Sequence, residues 1–187
     1  MSNLVALYSD KPQSGKSVFA MVATDRFGYT RISFADPLKG MLLPLLADLV
    51  GHDNALMGLW GNTKEQILAP LGVTPRHIMQ TLGTEWGRKL IHEDLWVKLW
   101  TVRVEEALKE GKRVVVDDMR FPNEMAAVRK LGGFTIKVVR SQGSTPANHA
   151  SEGALSQCSF DAVMLNSGDL SSWYKYCEEN LRFLAYA

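Results

Sequence analysis

The stretch that decides the fold is Ser9-Asp-Lys-Pro-Gln-Ser-Gly-Lys-Ser17, which directly follows the apolar run Leu4-Val-Ala-Leu-Tyr8. The apolar run predicts a buried first strand, and the residues from Lys16 onward predict a helix. In a phosphate-binding loop, backbone N–H groups and a helix N-terminus surround the phosphates, a lysine reaches the β/γ-phosphates and a hydroxyl reaches Mg²⁺. Lys16 and Ser17 fit the last two roles. A turn followed by a chance Gly-Lys-Ser helix start is the alternative.

The loop departs from the pattern G-x-x-x-x-G-K-[ST] at its first position, where Asp10 replaces glycine. Asp10 can adopt the required backbone shape, but it places a negative charge near the phosphates. The departure therefore bears on the affinity for ATP more than on the existence of the site. The loop residues predicted to bind ATP are Lys11, Gln13, Ser14, Gly15, Lys16 and Ser17.

Strand-like and helix-like segments alternate along the rest of the chain. Four further strands are predicted at residues 31–35, 113–117, 134–139 and 162–165. Asp36 followed by Pro37 predicts an N-cap and a helix start, whereas residues 51–72 show no clear pattern. Alternating strands and helices predict an α/β fold whose parallel sheet has helices on both faces. Ligands of such folds bind beyond the carboxyl ends of the strands.

The strand at 113–117 carries a second group of candidate residues. It is apolar until it ends in Asp117, which is where a phosphate-loop enzyme holds Mg²⁺ or its water shell. Arg120 follows at the same edge of the sheet and could clamp a transferring phosphoryl group. Adjacent strand side chains point opposite ways, so Asp117 and Asp118 cannot share one role. The alternative is a strand end that caps the next helix.

The helix predicted from Thr74 to about Ile91 carries a polar stripe at three-to-four-residue spacing. The stripe consists of Arg76, Gln80, Thr84 and Arg88. Arginines suit a phosphate monoester, and the amide suits a base edge. Gly83 and Gly87 lie in the same helix, where they either admit a close ligand or pack tightly against another helix. A solvated polar face is the remaining alternative.

Polar residues also follow the other strands. Asp36, with Lys39 one turn later, either caps its helix or contacts substrate. Arg140 and Glu152 belong to a polar loop after the fourth strand, which is either a lid that closes over phosphates or an exposed connector. Asn166 follows the fifth strand and contacts a purine ring or simply forms a turn.

The composition excludes several classes of partner. The chain has 187 residues, with 21 Lys and Arg against 20 Asp and Glu, so no general attraction to a nucleic-acid polymer or an acidic membrane is expected. The most apolar stretch, 41–50, is interrupted by Pro44 and Asp48, and no membrane span is predicted. Two cysteines are too few for a disulfide scaffold and indicate reduced thiols in a cytoplasmic protein.

Four motifs together resemble the phage-type deoxynucleoside monophosphate kinases. They are Ser33-Phe-Ala-Asp-Pro-Leu-Lys39, Gln80-Thr-Leu-Gly-Thr-Glu-Trp-Gly-Arg88, Val116-Asp-Asp-Met-Arg-Phe-Pro-Asn-Glu124 and His149-Ala-Ser-Glu152. The resemblance implies a three-layer P-loop sandwich with a five-stranded parallel sheet, a helical monophosphate-binding insertion and a short lid. It also implies phosphoryl transfer from ATP to a deoxynucleoside monophosphate, and a location in the host cytoplasm if the chain is phage-encoded.

On this resemblance the chain is one P-loop kinase domain over 1–187. Its core is expected at about 1–40 and 111–187, the insertion at about 41–110 and the lid at about 140–152. Mg²⁺ is expected at Ser17 and Asp117, and the catalytic residues are expected to be Lys16, Arg120 and Arg140. The residues expected to bind the monophosphate are Asp36, Lys39, Arg76, Gln80, Thr84, Trp86, Arg88, Arg120 and Glu152.

Two other functions remain open from the sequence. A small-molecule kinase of the dephospho-coenzyme A kinase type would phosphorylate a hydroxyl and use Asp36 as its general base. A non-catalytic nucleotide sensor is suggested by Asp10 in the loop. The aromatic closing segment, which includes Trp173 and Phe183, fits either the core or the face of a homodimer.

Overall fold

A parallel β-sheet organises the computed structural model, which describes residues 3–140 and 154–186. Within these residues the sheet has five strands in the order β2-β3-β1-β4-β5. They are β1 (Leu4–Tyr8), β2 (Tyr29–Arg31), β3 (Arg113–Val116), β4 (Phe134–Arg140) and β5 (Ala162–Asn166). This confirms the predicted α/β fold with a parallel sheet. Because β1 is the central strand, the loop at 9–15 leaves the middle of the carboxyl edge.

The central strands are apolar because both of their faces are covered. All five residues of β1 are buried, and Val114, Val115 and Val116 of β3 have no exposed surface. Burial of a valine side chain stabilises a fold by roughly 1.5–3 kcal/mol, so this core contributes a large share of the free energy of folding. The sheet therefore offers a rigid support for the loops at its carboxyl edge.

Helices occupy most of the remaining described residues. They are α1 (Lys16–Phe27), α2 (Asp36–Val50), α3 (His52–Leu59), α4 (Pro75–Gln80), a π-helix (Thr81–Ile91), α5 (Leu95–Lys109), α6 (Pro122–Lys130) and α7 (Leu170–Tyr186). None of the helices in the described ranges is long and apolar enough to cross a membrane. In α7, Trp173 is buried in the core, whereas Phe183 is exposed; the homodimer stays a prediction.

Two boundary predictions are wrong. The second strand was expected at 31–35, but it is Tyr29–Arg31. The strand ends there because the carbonyl of Ile32 accepts a hydrogen bond from Trp100 Nε1 (3.0 Å) and so does not bond to a neighbouring strand. Asp36 was expected as the N-cap of α2, but the N-cap is Ala35 and Asp36 lies in the first turn. The residues 51–72, which showed no clear pattern, include the helix α3.

The chain divides into two compact units. The first combines Met1–Phe34 with Trp100–Ala187 and contains the sheet. The second, Ala35–Leu99, is helical, and its core is built from α2 and α3 together with Trp96. Leu38, Leu42 and Leu46 recur every four residues on one face of α2, which places them together in that core.

Candidate active site

Three consecutive carbonyl groups of the loop at 9–15 accept hydrogen bonds from side chains of other elements. The bonds are Arg140 Nη1 to Gln13 O (3.0 Å), Asn166 Nδ2 to Ser14 O (2.9 Å) and Trp173 Nε1 to Gly15 O (3.0 Å). Carbonyl oxygens held in this way cannot turn toward an anion. An anion that approaches the loop is therefore left to meet backbone N–H groups, as in a phosphate-binding loop.

The backbone of the loop has the left-handed conformations that form such a nest. Gly15 has φ 105°, and Gln13, with φ 55°, is the one described residue other than glycine with a positive φ. A Cβ atom at Gly15 would lie 2.4 Å from Trp173 Nε1 and 2.7 Å from Asn166 Nδ2. Glycine is therefore required here both by φ and by the close approach of the two donors.

Lys16 and Ser17 begin α1, whose N-terminal end carries a partial positive charge. Lys16 Nζ donates to the buried Ser14 Oγ at 3.2 Å, so the amino group lies back over the loop. Ser17 is exposed in the first turn, where its hydroxyl is accessible to a ligand. Both residues thus lie at the loop and the helix start, and the roles predicted for them stay predictions.

Asp10, at the first position of the loop, has two partners within the first unit. Its Oδ1 accepts a hydrogen bond from the Tyr8 hydroxyl (2.7 Å), and its Oδ2 pairs with Lys137 Nζ (2.7 Å). Burial alone would raise the pKa of Asp10, but the hydrogen bonds from Lys137 and Tyr8 outweigh it and the pKa lies below its ordinary value. Asp10 is therefore charged and compensated at neutral pH.

Asp117, the predicted metal ligand, is engaged mainly by Arg31. The guanidinium binds both carboxylate oxygens, with Nε to Oδ1 at 2.9 Å and Nη2 to Oδ2 at 2.6 Å, and Ser33 Oγ donates to Oδ1 at 3.2 Å. Asp118 has a different partner, since it accepts a hydrogen bond from the backbone N–H of Phe34 (2.9 Å). That the two aspartates serve different roles stays a prediction.

Arg120 is presented by a rigid backbone. The carboxylate of Glu124, which is buried, accepts hydrogen bonds from the backbone N–H groups of Arg120 (2.6 Å) and Phe121 (3.1 Å). Glu124 therefore caps α6 from within its own first turn. The side chain of Arg120 is exposed at the carboxyl edge of the sheet.

The predicted monophosphate stripe lies wholly in the second unit. The helix predicted to start at Thr74 begins there: Thr74 is the N-cap of α4, and its Oγ1 accepts a hydrogen bond from His77 N at 3.1 Å. Arg76 forms an ion pair with Glu65, and Arg88 Nη1 donates to the carbonyl of Glu93 at 3.4 Å. The stripe residues are half-buried and straddle the junction between α4 and the π-helix. π-Helical turns are rare and recur at functional sites.

Packing against Trp96 explains one of the two glycines of the π-helix. A Cβ atom at Gly87 would lie 2.6 Å from the indole of Trp96, and the carbonyl of Gly83 accepts a hydrogen bond from Trp96 Nε1 at 2.8 Å. The tight-packing alternative therefore accounts for Gly87 without a ligand. Trp86, predicted to bind substrate, packs against the core of the second unit, with its ring centroid 6.3 Å from that of Trp96.

The other predicted substrate residues are placed as follows. Asp36 is half-buried in the first turn of α2, and the Lys39 ammonium lies 5.5 Å from the centroid of the Trp60 ring. Glu152, with most of the predicted lid, lies outside the described residues. Asn166, predicted to contact a purine or form a turn, binds the loop backbone instead through Ser14.

Arg31, Trp173, Lys137 and Glu65 were not predicted as site residues. Trp173 had been considered only as core or dimer face, yet its indole N–H fixes the loop. Arg31 ends β2, the strand next to β3, and Ser33 follows two positions later, so the strand-end rule could have found them had the boundary of β2 been right. No signal in the sequence pairs Lys137 with Asp10.

Removal of the indole N–H of Trp173 tests whether the loop needs its third donor. Trp173→Phe keeps an aromatic ring, but the Gly15 carbonyl loses one of its two donors and keeps only the backbone N–H of Phe19 (3.1 Å), at a cost of about 1 kcal/mol. We expect the KM for ATP to rise by roughly 3- to 10-fold. The matched control is Tyr174→Phe on the same helix, which removes only the hydrogen bond from Arg26 (3.2 Å) and should leave that KM unchanged. Equal KM values in both variants would contradict the role of Trp173.

The chain matches a known protein family and several viral relatives. The family model described as Deoxynucleotide monophosphate kinase matches residues 63–176. A protein of Acanthamoeba polyphaga mimivirus, assigned as a deoxynucleotide monophosphate kinase, is 30% identical over 175 residues, which are 86% of this chain and 87% of the relative. The deoxynucleotide monophosphate kinase of Escherichia phage RB69 is 33% identical over 108 residues, which are 57% of this chain and 44% of the relative.

A solved structure supports the fold independently. The dephospho-CoA kinase from Campylobacter jejuni superposes with a TM-score of 0.54 and 15% sequence identity, covering 99% of this chain and 98% of that chain. At this level of identity the likeness shows the fold alone.

Proposed function

This chain belongs to the deoxynucleotide monophosphate kinase family, and from that premise we propose how its residues transfer the γ-phosphoryl group of ATP to a deoxynucleoside monophosphate. The products are ADP and the deoxynucleoside diphosphate. The observation that carries the proposal is the loop at 9–15, where side chains from other elements hold the carbonyls of Gln13, Ser14 and Gly15. With these carbonyls engaged, an anion at the loop meets backbone N–H groups. The relatives named above supply the identity of the acceptor.

ATP binds to the first unit. Its phosphates lie on the backbone of residues 11–17, at the positive end of α1, and every residue of this range except Pro12 has an N–H group. Lys16, whose amino group lies over the loop, neutralises charge on the β/γ-phosphates. Arg120 and Arg140 are the further cations proposed to act on the phosphoryl group, and Arg140 also holds the loop through Gln13. Asn166 supports ATP through the loop.

The residues proposed to hold Mg²⁺, Ser17 and Asp117, lie in the first unit, and Asp117 has little acceptor capacity left for the metal. Ser17 offers an exposed hydroxyl. Arg31 and Ser33 occupy Oδ1 of Asp117, and Arg31 takes one acceptor position of Oδ2. One acceptor position on Oδ2 therefore remains for a water molecule of the metal. When bound, Mg²⁺ would neutralise the charge that develops on the β- and γ-phosphate oxygens.

The monophosphate binds to the second unit, which we propose to be the nucleotide-binding insertion. Arg76 and Arg88 bind its phosphate, and Gln80 reads a base edge; Asp36, Lys39, Thr84 and Trp86 complete the proposed site. The acceptor phosphate is largely dianionic at neutral pH, since its second pKa is about 6. Its oxygen can attack the γ-phosphorus directly while the bond to the bridging oxygen of ADP breaks, so no general base is needed.

The dephospho-coenzyme A alternative has no observation in its favour. In that alternative Asp36 would act as a general base and take a proton from the acceptor hydroxyl. A dianionic phosphate acceptor has no proton to lose, so Asp36 needs no such role in a monophosphate kinase. The likeness to dephospho-CoA kinase concerns the fold. The family model and the mimivirus relative favour the monophosphate over both this alternative and a non-catalytic sensor.

Arg88 tests the acceptor side. Arg88→Ala removes one charge-assisted contact, worth about 1.5–3 kcal/mol, and should raise the KM for the deoxynucleoside monophosphate roughly 10- to 100-fold while the KM for ATP stays within about 2-fold. The control is the neighbouring Lys89→Ala, which loses only an exposed pair with Glu85 (2.7 Å). An unchanged KM for the deoxynucleoside monophosphate in Arg88→Ala would contradict the proposal that Arg88 binds the acceptor phosphate.

The direct test of the function is product identification. ATP labelled in its γ-phosphate is incubated with a deoxynucleoside monophosphate and the protein, and the nucleotides are separated. The label is expected in the deoxynucleoside diphosphate. Label that remains in ATP while ATP is still bound would support the sensor instead.

A further inference from the structure

We propose that Lys137 is a positioning residue for ATP: it compensates the charge of Asp10 and so permits an acidic residue at the first position of the phosphate loop. The inference rests on the proposed function because it concerns the same loop. It also explains how the chain retains a phosphate site at a position where the loop pattern has glycine.

Both carboxylate oxygens of Asp10 are bound by side chains from strands of the sheet. Lys137 takes Oδ2 and the Tyr8 hydroxyl takes Oδ1, each at 2.7 Å. The Lys137 side chain is 18% exposed and that of Asp10 is 36% exposed, so the pair is partly withdrawn from water. Charges that are only partly solvated attract more strongly than fully exposed ones.

The register of the sheet builds this arrangement. Tyr8 and Lys137 are Cα partners where β1 pairs with β4, so both side chains are available to a residue two positions after Tyr8. The Lys137 ammonium also lies 5.7 Å from the centroid of the Tyr8 ring. Further along β4, Arg140 binds the Gln13 carbonyl. The strand β4 therefore holds both the start and the middle of the loop.

If Lys137 acts through its charge, the variants of Lys137 and Asp10 should behave differently from variants of an ion pair that only holds the structure together. If Lys137 is lost, Asp10 keeps a negative charge beside the loop and repels the phosphates of ATP. If Asp10 is neutralised instead, Lys137 remains as an extra cation and attracts them. The two single variants should therefore shift ATP affinity in opposite directions, whereas loss of a mechanical link would weaken it in both.

The experiment measures the Kd for ATP by calorimetry, without acceptor, for Lys137→Met, Asp10→Asn and the double variant. We expect Lys137→Met to raise the Kd about 3- to 10-fold. Asp10→Asn should lower it, and the double variant should return to within about 2-fold of the parent chain. Raising the salt concentration should shrink these differences, because the effect is electrostatic.

Three controls keep the outcomes distinct. Lys137→Arg, which keeps the charge, should keep the Kd close to that of the parent chain even if the methionine variant folds poorly. Lys130→Met removes an exposed lysine at the end of α6 and should not change the Kd. Weaker binding in both single variants, or no recovery in the double variant, overturns the proposal. The Kd is measured without an acceptor and does not depend on transfer. A parent chain that binds ATP here but transfers no phosphoryl group when an acceptor is supplied would contradict only the proposed function.

Discussion

Lys16→Ala is expected to lower kcat by at least about 100-fold, the largest loss expected from any single charge in the molecule. The charge that develops on the transferring phosphoryl group must be neutralised by groups already in place, and removal of one such group typically costs about 10²- to 10³-fold. Lys16 is in place because Gly15 ends the loop and α1 begins at Lys16 itself. Its Nζ is held near the loop by Ser14 Oγ at 3.2 Å.

The stability of the fold should change little in this variant. Lys16 is half-exposed at a helix start, so thermal unfolding of Lys16→Ala should remain close to that of the parent chain. Lys130→Ala, at the far end of α6, is the matched control for a lost lysine and should keep kcat unchanged. If Lys16→Ala retained most of its kcat, the loop would not be the site of phosphoryl transfer.

Gly15→Ala is expected to weaken ATP binding at the loop severely. Its φ of 105° is strained for any L-residue, and the added Cβ would lie 2.4 Å from Trp173 Nε1. The methyl group must therefore displace the donors that hold the Ser14 and Gly15 carbonyls. We expect kcat/KM for ATP to fall at least about 100-fold, and the free energy of unfolding to fall by about 1–3 kcal/mol.

Gly28→Ala separates backbone strain from the clash. Gly28 also has a left-handed φ, 64°, at the C-cap of α1, but the nearest atom to its Cβ position is Arg113 Nη2 at 3.7 Å. This variant should lose about 1 kcal/mol of stability and keep its kcat/KM. Equal losses of activity in the two variants would mean that strain, and not the displaced donors, damages the enzyme.

Local patterns predicted the parts of the fold that depend on neighbouring residues. The apolar runs of β1 and β3 are buried on both faces, and such runs are recognisable from a few consecutive residues. The helix start near Thr74 was predicted because the signals for a helix start, here Thr74 followed by Pro75, are adjacent residues. The boundary of β2 was missed because it depends on Trp100, which is 68 positions away.

In the candidate site, too, the sequence predicted residues that depend on a local pattern and missed those that depend on distant partners. Lys16 and Ser17 follow from the loop pattern itself. The residues that shape the loop come from far along the chain: Arg140 is 127 positions from Gln13, and Trp173 is 158 positions from Gly15. Such partners are set by the order of the strands, which places β4 and β5 on one side of β1.

Asp117 illustrates why a correct position does not fix a role. Its place at the end of β3 was predicted, yet its main partner is Arg31 from β2 at 2.6 Å. The neighbouring strand contributes that arginine only because β2 ends at Arg31. A metal ligand and an ion-pair partner require the same carboxylate at the same strand end, so the sequence pattern alone did not distinguish them.

Release of ADP in a coupled assay, measured against a panel of acceptors, tests the central claim most directly. The panel contains deoxynucleoside monophosphates, the matching ribonucleoside monophosphates and dephospho-coenzyme A, with acceptor omitted as the blank. The expected result is ADP release that depends on a deoxynucleoside monophosphate and is lost in Lys16→Ala. ADP release with dephospho-coenzyme A alone, or ATP binding with no turnover on any acceptor, would contradict the claim.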